Sequence, residues 1–221
     1  MLDNFLLIFH SKKVKTFLVI FCLLFLYVFI SAISYVNAVS SNIQNNVFRL
    51  HVIANSDSTE DQNLKYKVRD AILAHVNEIG KSAQSKEQLI SMLNIEELTQ
   101  IAKQAIADNG FDYDVSVEIG NFPFPTKIYG DISLPSGFYD ALRIKIGSAS
   151  GQNWWCVMFP PLCFVDISSG IVPEQSKETF QSNMDTEEYK LISESDNTQI
   201  NFKFKLIEIF QNLNTQLASK K

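Results

Sequence analysis

The sequence predicts an α+β domain, a mostly antiparallel sheet with helices packed on one face, preceded by an N-terminal hydrophobic export helix. Three observations carry that reading. An uncharged apolar run sits near the N-terminus, helical spacing of apolar residues fills residues 59–108, and a period of two takes over after residue 114. Helices gathered before a block of strands suit a layered α+β domain better than an alternating parallel α/β chain.

The apolar run, residues 16–33 (TFLVIFCLLFLYVFISAI), follows a positive flank of Lys12, Lys13 and Lys15. It has no polar face, which a core helix of a soluble domain would keep. Val36 and Ala38 fit the −3 and −1 positions of a signal-peptidase site. The run is also just long enough to span a bilayer, which takes about 20 apolar residues. Residues 1–38 are therefore read as a signal peptide or an uncleaved membrane anchor, with the N-terminus inside and the rest exported. Without residues 1–38, which hold three lysines and one aspartate, the 19 basic and 24 acidic residues fall to 16 and 23, a net charge near −7. An acidic surface argues against nucleic acid or anionic lipid as a partner, and leaves membrane contact to the N-terminal segment alone. The exported part is divided into an α+β signalling domain at 39–172, a polar connection at 173–199 and a C-terminal amphipathic helix at 200–221.

Residues 48–54 (FRLHVIA) are short, β-rich and end at the turn formers Asn55, Ser56 and Asp57, which predicts a strand. Ser58 with Asp61 has the form of an N-cap, and Leu64, Val68, Ile72 and Val76 follow at helical spacing up to Gly80. Ser85 with Gln88 starts a short second helix, and a third runs from about Ile95 to Asn109-Gly110. Val115, Val117 and Ile119 then alternate with Ser116 and Glu118, as a half-buried strand does. Residues 122–130 are broken by Pro123 and Pro125, which predicts an ordered loop or a sheet edge. Leu142, Ile144 and Ile146 alternate with Arg143 and Lys145 to give another one-sided strand. Residues 147–151 read as a hairpin turn, with 154–159 returning as the partner of that strand.

The densest oxygen cluster is Asn55, Ser56, Asp57, Glu60 and Asp61. A calcium loop would place ligands at alternate positions with a glycine at the sixth, and neither occurs. Capping of the following helix accounts for Ser58 and Asp61, and a recognition surface is the second reading. His51 lies in the first strand on the side of Arg49 and Ile53, with no G-x-S-x-G motif to supply a nucleophile. Cys156 and Cys163 are the only cysteines beyond the apolar run, a pair that suggests a disulfide in a non-reducing compartment or else two buried thiols. No Cys/His spacing points to zinc, and no cofactor is implied. Residues 153–159 (NWWCVMF) are apolar on both faces of a strand, while Arg143 and Lys145 of the supposed hairpin partner are cationic. Core packing under basic side chains, or an aromatic interface of the kind protein partners use, both fit.

Several stretches resemble the stage II sporulation protein R family of endospore-forming bacteria. They are RLHVIANSDS at residues 49–58, Asp61-Gln62 with Lys65 and Lys67 to Asp70, Pro125-Thr126-Lys127 with Tyr129-Gly130, LPSG at 134–137 with Ala141-Leu142-Arg143, and NWWCVMFPPLCF at 153–164. The likeness covers roughly residues 45–170. It implies an intercellular signal that is not an enzyme, secreted from the forespore into the space between forespore and mother cell. There such proteins trigger a membrane-embedded aspartyl protease, which cleaves pro-sigma-E. The contact surface is expected near the first turn and the Trp-Trp strand, with His51, Asn55, Asp57, Asp61, Arg69, Arg143, Trp154 and Trp155 as the partner-binding residues. The alternative from another class is a secreted cell-envelope hydrolase using His51 and nearby carboxylates.

Overall fold

The computed structural model describes residues 12–163, 172 and 174–193. The chain divides into two units, residues 1–39 and 40–221. The first holds most of helix α1 (Lys12–Asn45). Its side chains Phe17, Leu23, Leu24, Phe25 and Ile30 are all exposed. A stretch of 21 residues, Lys12–Ala32, is long and apolar enough to cross a membrane. At 1.5 Å per residue it spans roughly 30 Å, the thickness of a hydrocarbon core. Such a helix is compatible with either a signal peptide or an anchor.

In the second unit a four-stranded sheet has the order β2-β5-β1-β6, formed by β1 (Phe48–Ile53), β2 (Val115–Phe124), β5 (Gly137–Ile146) and β6 (Asn153–Phe159). Strand β1 runs parallel to β5 and antiparallel to β6, and β2 is antiparallel to β5. A second ribbon pairs β3 (Lys127–Tyr129) with β4 (Ile132–Leu134). Helices α2 (Thr59–Gly80), α3 (Lys86–Met92) and α4 (Ile95–Asp108) pack on one face of the large sheet. The expected α+β architecture, mostly antiparallel with its helices on one face, is thus the observed one.

The expected hairpin between β5 and β6 is not formed. Residues 147–151 do reverse the chain, but β1 lies between the two strands and pairs with both. Turn residues encode a change of direction, not which strand fills the space beside it. The inserted strand is the one best suited to a central place, since five of its six residues are buried. Pro123 sits in β2, an edge strand, the place in a sheet where a residue without an N–H is tolerated.

Beneath the helices lies one core. Leu50 and Val52 of β1, Leu142 and Ile144 of β5 and Met158 of β6 meet Leu64, Val68 and Ile72 of α2 and Leu98 and Ile106 of α4. The helices begin where their caps do. Ser58 Oγ accepts from Asp61 N at 3.2 Å, Ser85 Oγ from Gln88 N at 3.2 Å and Asn94 Oδ1 from Glu97 N at 3.1 Å.

The stretch 173–199, expected as a polar connection, carries helices α5 (Glu174–Asn183) and α6 (Thr186–Ser193). Its few apolar residues suffice to dock it, for Phe180, Met184 and Ile192 are buried. Ser176 Oγ donates to Pro161 O at 2.6 Å, and Lys177 pairs with Asp131 at 2.7 Å. The helix expected at 200–221 lies outside the described residues.

Candidate functional site

The turn after β1 is stapled to the 147–152 loop. Asn55 Nδ2 and Ser56 Oγ both donate to Asp61 Oδ2, at 2.8 and 2.5 Å. Across the loop, Asn55 Oδ1 accepts from Ser148 N at 2.9 Å and Asp57 Oδ1 from Gln152 N at 2.7 Å. Glycine is required on the far side: a Cβ at Gly147 would strike Asn55 Oδ1, and one at Gly151 would strike Ser56 O. The hydrogen bond from Ser56 holds the Asp61 carboxyl below the usual carboxylate range, against the opposing pull of burial. The oxygen cluster is thus spent on capping and on tying β1 to the β5–β6 loop. Among the described residues, no three His, Cys, Asp or Glu side chains converge as a metal site.

From Gln152 the chain enters β6, whose alternation sends its two tryptophans to opposite faces. Trp154 lies on the helix side, edge-on to Tyr66 with ring centroids 5.4 Å apart, and Arg69 stands 4.3 Å over its ring. Arg69 also pairs with Asp70 at 2.6 Å. Lys65, buried beside this group, donates to Gln62 Oε1 at 2.6 Å and to Gln152 O at 3.1 Å. Burial, then the neighbouring Arg69 cation, pulls the Lys65 ammonium below its ordinary value.

Trp155 lies on the other face, stacked on His51 at a centroid distance of 3.7 Å and edge-on to Phe124 at 4.8 Å. His51 Nε2 is 2.6 Å from Asn153 Oδ1, which selects the Nε2–H tautomer. Burial lowers the His51 pKa to about 4, helped by the cations Arg143, Lys145 and Arg49, so the ring is neutral at neutral pH. Below it Arg49 is fully buried, 4.2 Å from the Phe124 ring centre and 4.7 Å from that of Tyr139. Its Nη2 donates to Tyr129 Oη at 2.9 Å. Tyr129 in turn donates to Trp155 O at 3.3 Å, which binds the small ribbon to the edge of β6.

Of the expected partner-binding residues, Asn55, Asp57, Asp61, Arg69 and Trp154 gather along the α2 side of the sheet edge. His51, Arg143 and Trp155 gather on the opposite face. Arg143 lies over Phe122 at 3.7 Å and pairs with Glu118 at 2.8 Å, so of the two readings of this strand pair, the one that lays Arg143 over a tryptophan is not what forms. The reason is register. Glu118 and His51 flank Arg143, whereas Trp155 sits one strand further away. Sequence reasoning missed Arg49, Lys65, Tyr66, Phe124 and Tyr129 as builders of these two clusters. The available signal was a cation set into a run that is otherwise apolar, as Arg49 is in β1.

Cys156 and Cys163 form a disulfide. That leaves no thiol for a His51–Cys156 pair, so that route to covalent hydrolysis is closed. The bridge closes a ring whose return is fixed by Leu162 N donating to Val157 O at 3.0 Å.

Residues 44–169 match the family model of stage II sporulation protein R. The stage II sporulation protein R of Bacillus subtilis (strain 168) is 37% identical over 147 residues, which are 66% of this chain and 66% of that one. The matched region is thus slightly under two-thirds of the relative's length. No solved structure matches. The chain belongs to the stage II sporulation protein R family.

Proposed function

We propose that this chain is a secreted intercellular signal of endospore formation. In this reading it is delivered between forespore and mother cell, released or tethered by α1, and activates a membrane-embedded aspartyl protease of the mother cell. That protease then cleaves pro-sigma-E. The observation that supports it is family membership, carried over residues 44–169. The apolar helix ahead of that region is compatible with the export step the reading needs.

A ligand shifts a receptor's equilibrium only by its differential affinity for the active state. The contact surface is therefore the functional element, and two clusters compete for the role. The Trp154–Arg69–Tyr66 group and the Trp155–His51–Arg143 group face opposite ways, so a flat receptor surface engages one of them. Co-expression of the full chain with the protease and its pro-sigma substrate in a non-sporulating host tests the function. Processing should depend on this chain, and processing that proceeds equally without it would sink the reading. Within the same assay, Trp154→Ala and Trp155→Ala assign the contact face. The variant that keeps secretion but abolishes processing marks it.

A further inference from the structure

A cavity of about 430 Å³ lies away from both tryptophan clusters, in the range of roughly 300–1,000 Å³ that ligand sites occupy. Three walls enclose it: the last turns of α2, the start of α3, and helix α5. Its fourth side is the disulfide-closed ring, which contributes Met158, Phe159 and Pro161. Ser176, reaching from α5 to Pro161 O, holds that ring against the helix.

The lining chemistry selects among ligands. Its floor is aliphatic and buried, with Val76 at 2%, Leu89 at 3% and Met158 at 5% exposure. Around the floor stand the amides of Asn77, Gln84 and Asn183 and the hydroxyls of Thr179 and Ser182. Among the described residues no carboxylate lines it, and the one cation there, Lys81, is exposed and already paired with Glu78 at 2.6 Å. Cationic ligands therefore find no counter-charge, and anionic ones find only a solvated, neutralised one. Among the described lining residues the one aromatic ring, Phe159, is 6% exposed, so none of them offers a sugar an open ring face. What amides around an aliphatic floor do complement is a chain of amide groups bearing small apolar side chains. Each of these amides has a donor and an acceptor end, and Asn183 keeps a second N–H beside the one it donates to Thr179 O at 2.9 Å.

We propose that this pocket binds an extended, uncharged segment of a partner polypeptide, with the disulfide fixing the wall against which it lies. If that partner is the mother-cell protease, this rests on the signalling reading; the binding itself does not. The ring matters because a preformed wall lowers the ordering cost of association.

The test uses the full chain in lipid nanodiscs and fluorescein-labelled, otherwise blocked hexapeptides built from Ala, Val, Leu, Ser, Asn and Gln. Anisotropy should reveal members that bind the unmodified chain. Ala83→Trp and Ser182→Trp fill the cavity from opposite, solvent-accessible walls, and each should weaken binding at least tenfold. An Asp or Lys at the centre of a binding peptide should do the same. The proposal is overturned if no member binds, or if both filled variants bind as the unmodified chain does. Secretion yield and circular dichroism of the two variants report folding, and two walls guard against one variant failing alone. A parallel processing assay keeps the two readings apart. An unmodified chain that elicits no processing removes the signalling reading, while peptide binding still decides the pocket.

Discussion

The two faces of β1 are built on different physics. Phe48, Leu50 and Val52 face the helices and pack into an aliphatic core, where area removed from water is what stabilises. Arg49 and His51 face the other way, equally buried, yet polar or charged. That side holds because rings surround the guanidinium and the Asn153 amide oxygen accepts from His51 Nε2, while His51 Nδ1 stays buried without a partner. Burying a cation without a counter-ion is expensive, so the second face specifies its geometry more narrowly than the first. One strand thus carries a tolerant side and an exacting one, and the exacting side bears the Trp155 cluster.

Truncation should reveal the difference most strongly. Leu50→Ala leaves a cavity in the helix-side core and should cost about 3–4 kcal/mol in urea unfolding followed by tryptophan fluorescence. Arg49→Ala should cost a similar amount, through lost ring contacts and the loss of the hydrogen bond it donates to Tyr129 Oη. Arg49→Met separates shape from charge, since it keeps the volume between Phe124 and Tyr139 and removes the buried cation. It should cost under about 1.5 kcal/mol, and a loss as large as that of Arg49→Ala would show that the charge itself is required.

The aliphatic face was legible in the sequence and the exacting face was not. Periods of 3.6 and 2 identify Leu64, Val68, Ile72, Leu142 and Ile144 as core, because the hydrophobic effect acts on each residue whatever its partner. The caps at Ser58 and Ser85 are equally local. The Arg49 site depends instead on residues far apart in the chain, as Tyr129 is 80 positions away and Asn153 is 102 from His51. Strand order fails for the same reason: the turn at 147–151 is encoded locally, while the insertion of β1 beside it is not. Cys156 and Cys163 were legible as a candidate pair because they are the only cysteines beyond the apolar run. The Trp-Trp alternation fixed which ring points which way, but not that Arg69, rather than Arg143, would cover one of them.

The disulfide ring terminates β6, where the two faces end together. Replacing both cysteines by alanine should lower stability by about 2–3 kcal/mol, the loop-closure value for so short a ring. A loss confined to peptide binding, with unfolding unchanged, would mean that the bridge shapes the pocket wall alone. His51 offers a pH test of the exacting face. Its folded pKa, about 4, lies below the unfolded value of 6.5, so its contribution is complete above pH 6.5 and is lost as pH falls toward 4. The stability difference between the unmodified chain and His51→Gln should therefore shrink by about 2–3 kcal/mol between pH 7 and pH 4. A flat difference would mean that the imidazole is not held neutral beside Trp155.

The smallest effect belongs where the second face meets solvent. Arg143 and Lys145 share Glu118 at 2.8 and 2.9 Å, with the three side chains between 23% and 38% exposed. Hydrogen bonds, that from Lys145 first, hold the Glu118 carboxyl below the usual range. Removing one cation leaves the other in place, so Arg143→Ala should cost about 0.5–1 kcal/mol and fade further in high salt. Its effect on signalling is independent of that figure. A strong loss of processing at near-normal stability would place the receptor contact on the Trp155 face. Normal processing in Arg143→Ala, beside a defect in Arg69→Ala, would place it on the Trp154 side, where a half-buried guanidinium stands 4.3 Å above an indole.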